Sequence, residues 1–232
     1  MSSITQIIDD SSFYIGINNM DRDDCQYLAK TYDQKIKLGK GASGEVYELC
    51  KKGTTDCNYV LKVTIYKSDI YDMTGQIELS KEYKKSEWQK EVKILTKLNN
   101  CQNSYSTTFV PIIYDNWLCD ENDKTYFYIV MEKFHGNLND FIKKNKSNEQ
   151  IKIAAVKTLE LLTLQLRIIH NNCNVCLVDI KLDNILYKQI DTYTYEFVFA
   201  DIGSAIDKAN IECKQIDTER FLRTIQLFKN NL

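Results

Sequence analysis

The chain has no excess charge of either sign. Thirty Lys and Arg stand against thirty-two Asp and Glu, a formal net charge of −2. Bulk electrostatics therefore give no case for nucleic acid or an anionic membrane as a partner. Long apolar runs are also missing, and nothing approaches the ~20 residues that a bilayer span requires. The N-terminal stretch lacks a basic start followed by an apolar core, so no secretory signal is read there. From these absences the chain is expected to be soluble, intracellular and cytoplasmic. No repeat and no low-complexity tract interrupts it. Proline is nearly lacking, with Pro111 alone, while Asn, Lys, Ile and Tyr abound. That bias fits an AT-rich source and says nothing of chemistry.

A chain of 232 residues, 44% hydrophobic and 27% charged, makes one large or two small domains with a core of their own. Its eight cysteines are scattered at positions 25, 50, 57, 101, 119, 173, 176 and 213. Without a secretory signal they are expected as reduced thiols that serve as small buried side chains. Cys173 and Cys176 form a C-x-x-C, half of a zinc pattern. A second close pair is missing, and both histidines, His135 and His170, lie elsewhere in the sequence.

Residues 1–32 are mixed and polar, with acids at Asp21, Asp23 and Asp24, and read as an N-terminal extension. Apolar alternation about Ile36 and Leu38, then Val46, Tyr47 and Leu49, predicts two strands joined by a glycine-rich turn. Gly39, Gly41 and Gly44 make G-x-G-x-x-G, with Ser43 inside it. Without side chains, backbone N–H groups can approach phosphates closely. A dinucleotide fold would need a helix directly afterwards. The residues that follow are β-like, so a strand–loop–strand flap fits better.

The run YVLKVTI (59–65) is strongly β-forming, with Lys62 as its one charge. A lysine in such a strand either sits at an edge in water or needs a partner. Helical spacing follows over 78–98, at Leu79, Tyr83, Trp88, Val92, Leu95 and Leu98. Glu91 borders that stripe and can reach Lys62. Two strands follow, the second ending at Met131 and Glu132 before a connector through Lys133, Phe134 and Gly136. A short helix (138–144) and a long one (150–170) come next, the latter with Ile153, Val156, Leu159, Leu162, Leu166 and Ile169 along one side.

The stretch VCLVDIKLDN (175–184) carries Asp179, Lys181 and Asn184 within six residues, between apolar flanks. That pattern suits a loop held between buried pieces, its charges turned into a cleft. Two short strands, around 185–187 and 197–200, then lead into Asp201-Ile202-Gly203. An acid at the end of a buried strand is well placed to bind a metal. Near the C-terminus an amphipathic segment, Phe221 to Phe228, follows Asp217 and Thr218 as candidate helix caps.

Taken together, these elements resemble the eukaryotic-type Ser/Thr protein kinase family. The carriers are G-x-G-x-x-G-x-V at 39–46, Lys62, Glu91, D-x-K-x-x-N at 179–184 and a D-F-G equivalent at 201–203, in order. The resemblance covers about 33–229. It implies an α+β, bilobal kinase-like domain over 33–232. The β-rich N-lobe with one helix would take about 33–132, and a reduced, mainly α-helical C-lobe 135–232. ATP and Mg²⁺ are the implied cofactors. By the resemblance, the flap backbone covers the phosphates, and Lys62, held by Glu91, contacts the α- and β-phosphates. Asp179 would accept the hydroxyl proton, Asn184 and Asp201 hold Mg²⁺, and Lys181 steady the γ-phosphate in the serine/threonine pattern. Leu38, Val46, Val60 and Leu186 would sandwich adenine, with Met131 behind and Glu132 and Phe134 offering backbone hydrogen bonds.

The departures are specific. Leu177-Val178 stand where the family has His-Arg before the catalytic Asp. Leu177 can supply the histidine's packing and Ile202 that of the D-F-G phenylalanine, with Leu95 completing an apolar column. The missing arginine normally receives an activation-loop phosphate, so no such switch is expected. No A-P-E motif follows, and Asp217 is placed to cap the catalytic loop's backbone. The chain is similar to minimal kinases of bacterial effectors, large viruses and the tRNA-modification machinery. It is therefore expected to have a protein substrate or an activating protein partner, in a host cytoplasm if its source is a virus or an effector. A pseudokinase scaffold and a small-molecule kinase or ATPase remain as alternatives.

Overall fold

A computed structural model describes residues 23–41, 44–67, 81–146 and 148–231. Ser43, Asp21 and Leu79 lie outside these described residues. The upper layer is a five-stranded antiparallel sheet with strand order β1-β2-β3-β5-β4. Its strands are β1 (Tyr32–Gly41), β2 (Gly44–Lys51), β3 (Tyr59–Lys67), β4 (Ile113–Glu121) and β5 (Lys124–Glu132). A short helix, α1 (Tyr27–Thr31), precedes it. Residues 23 and 24 run beside β4, where Asp23 bridges Leu118 and the Asp24 N–H donates to the Leu118 carbonyl at 3.1 Å.

Helix α2 (Lys81–Tyr105) packs under this sheet because Trp88, Val92, Leu95 and Leu98 recur at helical spacing and are all buried. Its buried amides organise the chain that follows. Gln102 Oε1 accepts from the Phe109 and Val110 N–H groups at 3.0 and 3.2 Å. Asn99 donates to the Pro111 carbonyl and accepts from the Ile113 N–H at 2.8 Å. Irregular backbone is thus buried with its polar groups satisfied.

The lower layer begins with the two-residue strand β6 (Gly136–Asn137) and α3 (Leu138–Asn145), capped by a reciprocal Asn137–Asp140 box. Helix α4 (Glu149–Asn171) is N-capped by Asn148. Then come β7 (Val175–Cys176), β8 (Ile185–Gln189), β9 (Tyr195–Phe199), β10 (Ile206–Asp207) and α5 (Ile211–Asn231). Strands β6, β8 and β9 form one small sheet, and β10 with β7 another. Phe141 packs against Tyr187, Tyr195, Phe197 and Phe228 at centroid distances of 5.0–5.8 Å, joining α3, that sheet and α5. The result is the expected α+β pair of layers, β-rich above and mainly helical below.

Three expectations need correction. Ile153 is exposed, because the buried stripe of α4 runs through Ala155, Leu159, Leu162, Leu166 and Ile169. Asp217 and Thr218 do not cap α5. The helix starts at Ile211, where Asn210 Oδ1 accepts from the Cys213 N–H at 2.8 Å, and Asp217 lies buried inside it.

The cysteines are the third. Instead of free thiols, all eight pair, as Cys25–Cys119, Cys50–Cys57, Cys101–Cys173 and Cys176–Cys213. Three of the pairs join residues 37–94 positions apart, so only the folded chain brings them together. The C-x-x-C splits between two partners, one on α2 and one on α5. His170, Cys176 and Asp217 cluster within metal-ligand reach, but the thiol is spent in a bond and the carboxylate on hydrogen bonds. Among the described residues, no helix is long and apolar enough to cross a membrane.

Each long-range bridge should stabilise the fold by about 2–4 kcal/mol. Intact mass of the unreduced protein is expected to fall below that of the reduced chain by eight hydrogens, with no alkylation until a reductant is added. Reduction should then lower the melting temperature. Free thiols in the unreduced protein would contradict the pairing.

Candidate active site

Between the layers lies a cavity of about 330 Å³. Its roof is the flap of β1 and β2, its back wall β3 and α2, and its floor the loops around β8 and β9. At the flap's turn, Gly44 has φ +132°, and a Cβ there would meet the Val63 carbonyl oxygen at 2.3 Å. Glycine is therefore required at that crossing. Gly39 and Gly41 have open space where a Cβ would project, so the protein itself places no steric demand there. Lys37 pairs with Glu45 at 2.6 Å and ties the two flap strands together.

Strand β3 turns Lys62 inward, opposite Val46 on one neighbour and Ile129 on the other. Its Nζ donates to Glu91 Oε1 at 2.6 Å and to Asp201 Oδ1 at 3.3 Å. Burial alone would depress this ammonium's pKa. The two carboxylates outweigh that and hold it above its ordinary value. Asp201 follows β9 and adopts a left-handed backbone, φ 53° and ψ 68°. Strain of this kind in a residue other than glycine persists only where the surroundings impose it.

The loop after β7 is fixed from below. Asp217, fully buried on α5, accepts from the Leu177 and Val178 N–H groups at 2.7 Å each, and lies 2.9 Å from His170 Nε2. Arg220 donates to the Val178 carbonyl. Val178 is β-branched and yet has φ 69°. That conformation is costly, and the carboxylate on the adjacent N–H groups accounts for its persistence. The next residue is Asp179. Lys181 Nζ donates to Asp179 Oδ2 at 2.7 Å, and this hydrogen bond raises the lysine's pKa. Asn184 Nδ2 donates to the Asp179 carbonyl and to Oδ2, at 2.8 and 2.9 Å. Its amide nitrogen is thus committed, leaving its Oδ1 as the atom it can give a cation. Asn184 and Asp201 line the same cavity, and an amide oxygen with a carboxylate is a donor set suited to Mg²⁺.

Leu38, Gly39, Gly41, Gly44, Val46, Val60, Lys62, Glu91, Met131, Glu132, Phe134, Asn184, Leu186 and Asp201 all line the one cavity. Asp179 and Lys181 are not part of its lining but adjoin it through Asn184. At the connector, the Glu132 N–H is committed to the Ile112 carbonyl at 2.8 Å, so any contact from its backbone to a ligand must use the carbonyl. The Glu132 side chain pairs with Lys188 of β8 at 2.6 Å, linking the layers at the rear. Leu95, Leu177 and Ile202 are buried in one core cluster, as the apolar-column argument requires. Asp140 and Asp183 also line the cavity, though sequence reasoning did not single them out. Asp183 stood in plain view inside the D-x-K-x-x-N run. Asp140 was recognisable as N3 of the capping box.

Residues 32–222 match the family model for the protein kinase domain, and the chain belongs to that family. It is 27% identical over 205 residues to homeodomain-interacting protein kinase 1 of Caenorhabditis elegans, covering 88% of this chain and 21% of that protein. It is 25% identical over 202 residues to homeodomain-interacting protein kinase 2 of Mesocricetus auratus and of Mus musculus, covering 86% of this chain and 15% of theirs. The chain thus spans only 15–21% of the length of these relatives.

Gly44→Ala should destabilise the fold by roughly 1–3 kcal/mol, since backbone must move. Gly41→Ala should leave the melting temperature within error and weaken nucleotide binding instead. Thermal melts with and without Mg-ATP read both outcomes.

Proposed function

We propose that this protein transfers the γ-phosphoryl group of ATP to a serine or threonine hydroxyl of a protein substrate. The observation that carries the reading is the Lys62 ammonium held by Glu91 and Asp201 over the same cavity that Asn184 and the glycine flap line. A triphosphate entering there meets a fixed cation, backbone N–H groups and two oxygen donors for a metal. Mg²⁺, when bound, would neutralise charge on the phosphate oxygens.

Phosphoryl transfer needs alignment and charge neutralisation more than covalent chemistry from the protein. Asp179 takes the hydroxyl proton as the substrate oxygen bonds to γ-phosphorus. The bond from that phosphorus to the β–γ bridging oxygen breaks, and ADP leaves. Lys181, hydrogen-bonded to Asp179, is positioned to follow the transferring group. Its presence two residues after the base supports serine/threonine acceptors.

A nucleotide-binding scaffold is the second reading. It draws on the short path from Asp201 to α5, where residues 202–210 leave a short segment on which a peptide could dock. As for setting, the paired cysteines support maturation where thiols are oxidised rather than in a reducing cytosol.

Labelled Mg-ATP should give phosphorylation of the protein itself or of a generic basic substrate. Asp179→Ala is expected to abolish it, and Glu91→Ala to lower it by about 10²–10³-fold. Undiminished transfer by Asp179→Ala would refute the assignment of the base. Stabilisation by ATP with no transfer to any acceptor would favour the scaffold.

A further inference from the structure

Glu91 can hold Lys62 only while α2 stays seated. In regulated protein kinases a phosphate on the activation loop commonly controls that seating. Here Val178 offers no guanidinium to receive one. The only hydroxyl-bearing side chain in residues 202–210 is Ser204, in the turn directly after Gly203. The buried stripe of α2 seats it under the sheet, and a charged contact ties its outer edge to the segment after Asp201.

Asp207 lies on β10, where it pairs with Val175 of β7, the strand that leads into the Asp179 loop. Its carboxylate faces α2. Lys97 Nζ lies 2.5 Å from one oxygen and Lys93 Nζ 3.8 Å from the other. Lys93 and Lys97 are one turn apart on α2, and Lys93 is two residues past Glu91. Lys97 also reaches the Asn174 carbonyl at 3.4 Å, the same oxygen that accepts from the Lys208 and Ala209 N–H groups. The hydrogen bond from Lys97 keeps the Asp207 carboxyl below its ordinary pKa. One residue before Asn174, Cys173 is bonded to Cys101 of α2.

We propose that Asp207 is a positioning residue, a built-in carboxylate that does for α2 what a phosphate does in a regulated kinase. It clamps the Lys93/Lys97 edge of the helix to β10, which follows Asp201, and through it to β7, which leads into the Asp179 loop. The proposal rests on the phosphotransfer reading and adds its mode of control: the site is assembled without phosphorylation. An isolated surface ion pair would be worth little. This one is about two-thirds buried, with side-chain exposures of 35% and 32%, and joins three chain segments.

The full, unreduced chain is the test object. Asp207→Ala should lower kcat at least tenfold, Asp207→Glu should keep most of it, and Lys97→Asp with Asp207→Lys should recover activity lost in either single variant. Phosphatase treatment of the wild type should change nothing. A wild-type kcat in Asp207→Ala, no recovery in the charge swap, or activity lost to phosphatase would each overturn the proposal. Amide hydrogen exchange over 91–105 reads the clamp without any turnover. Asp207→Ala should speed it, and unchanged exchange would sink the clamp. A wild type that transfers no phosphate but whose α2 loosens in Asp207→Ala would refute the phosphotransfer reading alone.

Discussion

A buried ammonium is the constraint from which the rest follows. Lys62 is nearly removed from water in the middle of a sheet, and a lone charge there would cost several kcal/mol. Glu91 and Asp201 remove that cost only if α2 lies beneath β3 and the end of β9 reaches the same point. One cation thus fixes a strand, a helix and a loop that are distant in sequence. The cavity is the space left once the three have met. Its apolar roof and floor and its polar back follow from which face each element presents.

A second carboxylate does comparable work lower down. Asp217 is fully buried, yet its oxygens are engaged by two backbone N–H groups and a histidine. It permits a left-handed Val178, and the loop's bend at that residue brings Asp179 to Asn184. The upper site answers to a charge on charge, the lower one to a charge on backbone dipoles. Both are anchored in α-helices, whose rigidity sets the distances.

Much of this was legible in the sequence because the chemistry demands particular residue types at short spacings. Asp179, Lys181 and Asn184 sit within one loop, the glycines within one turn, and Lys62 within a run of β-branched neighbours. Periodicity gave α2 and α4, though it misjudged Tyr83 and Ile153, which are exposed and lie ahead of the buried stripes of their helices. What was not legible depended on long-range proximity. Cys101 and Cys173 are 72 positions apart, and nothing in their spacing announces a bond. Compartment reasoning pointed the other way. Asp217 carried two readings, a helix cap from the residue pattern and an anchor of the catalytic loop's backbone from the resemblance, and the structure keeps the second. Its burial inside α5 depends on the loop above it. Asp207, alone in a short linker, carried no signal until β10 paired with β7.

The bond between Cys101 and Cys173 joins the helix of the upper layer to the turn below α4. Two bodies linked covalently at one edge cannot separate there. Any loosening of the cavity then has to come from the flap or the loops that line it rather than from the junction of α2 with the turn after α4.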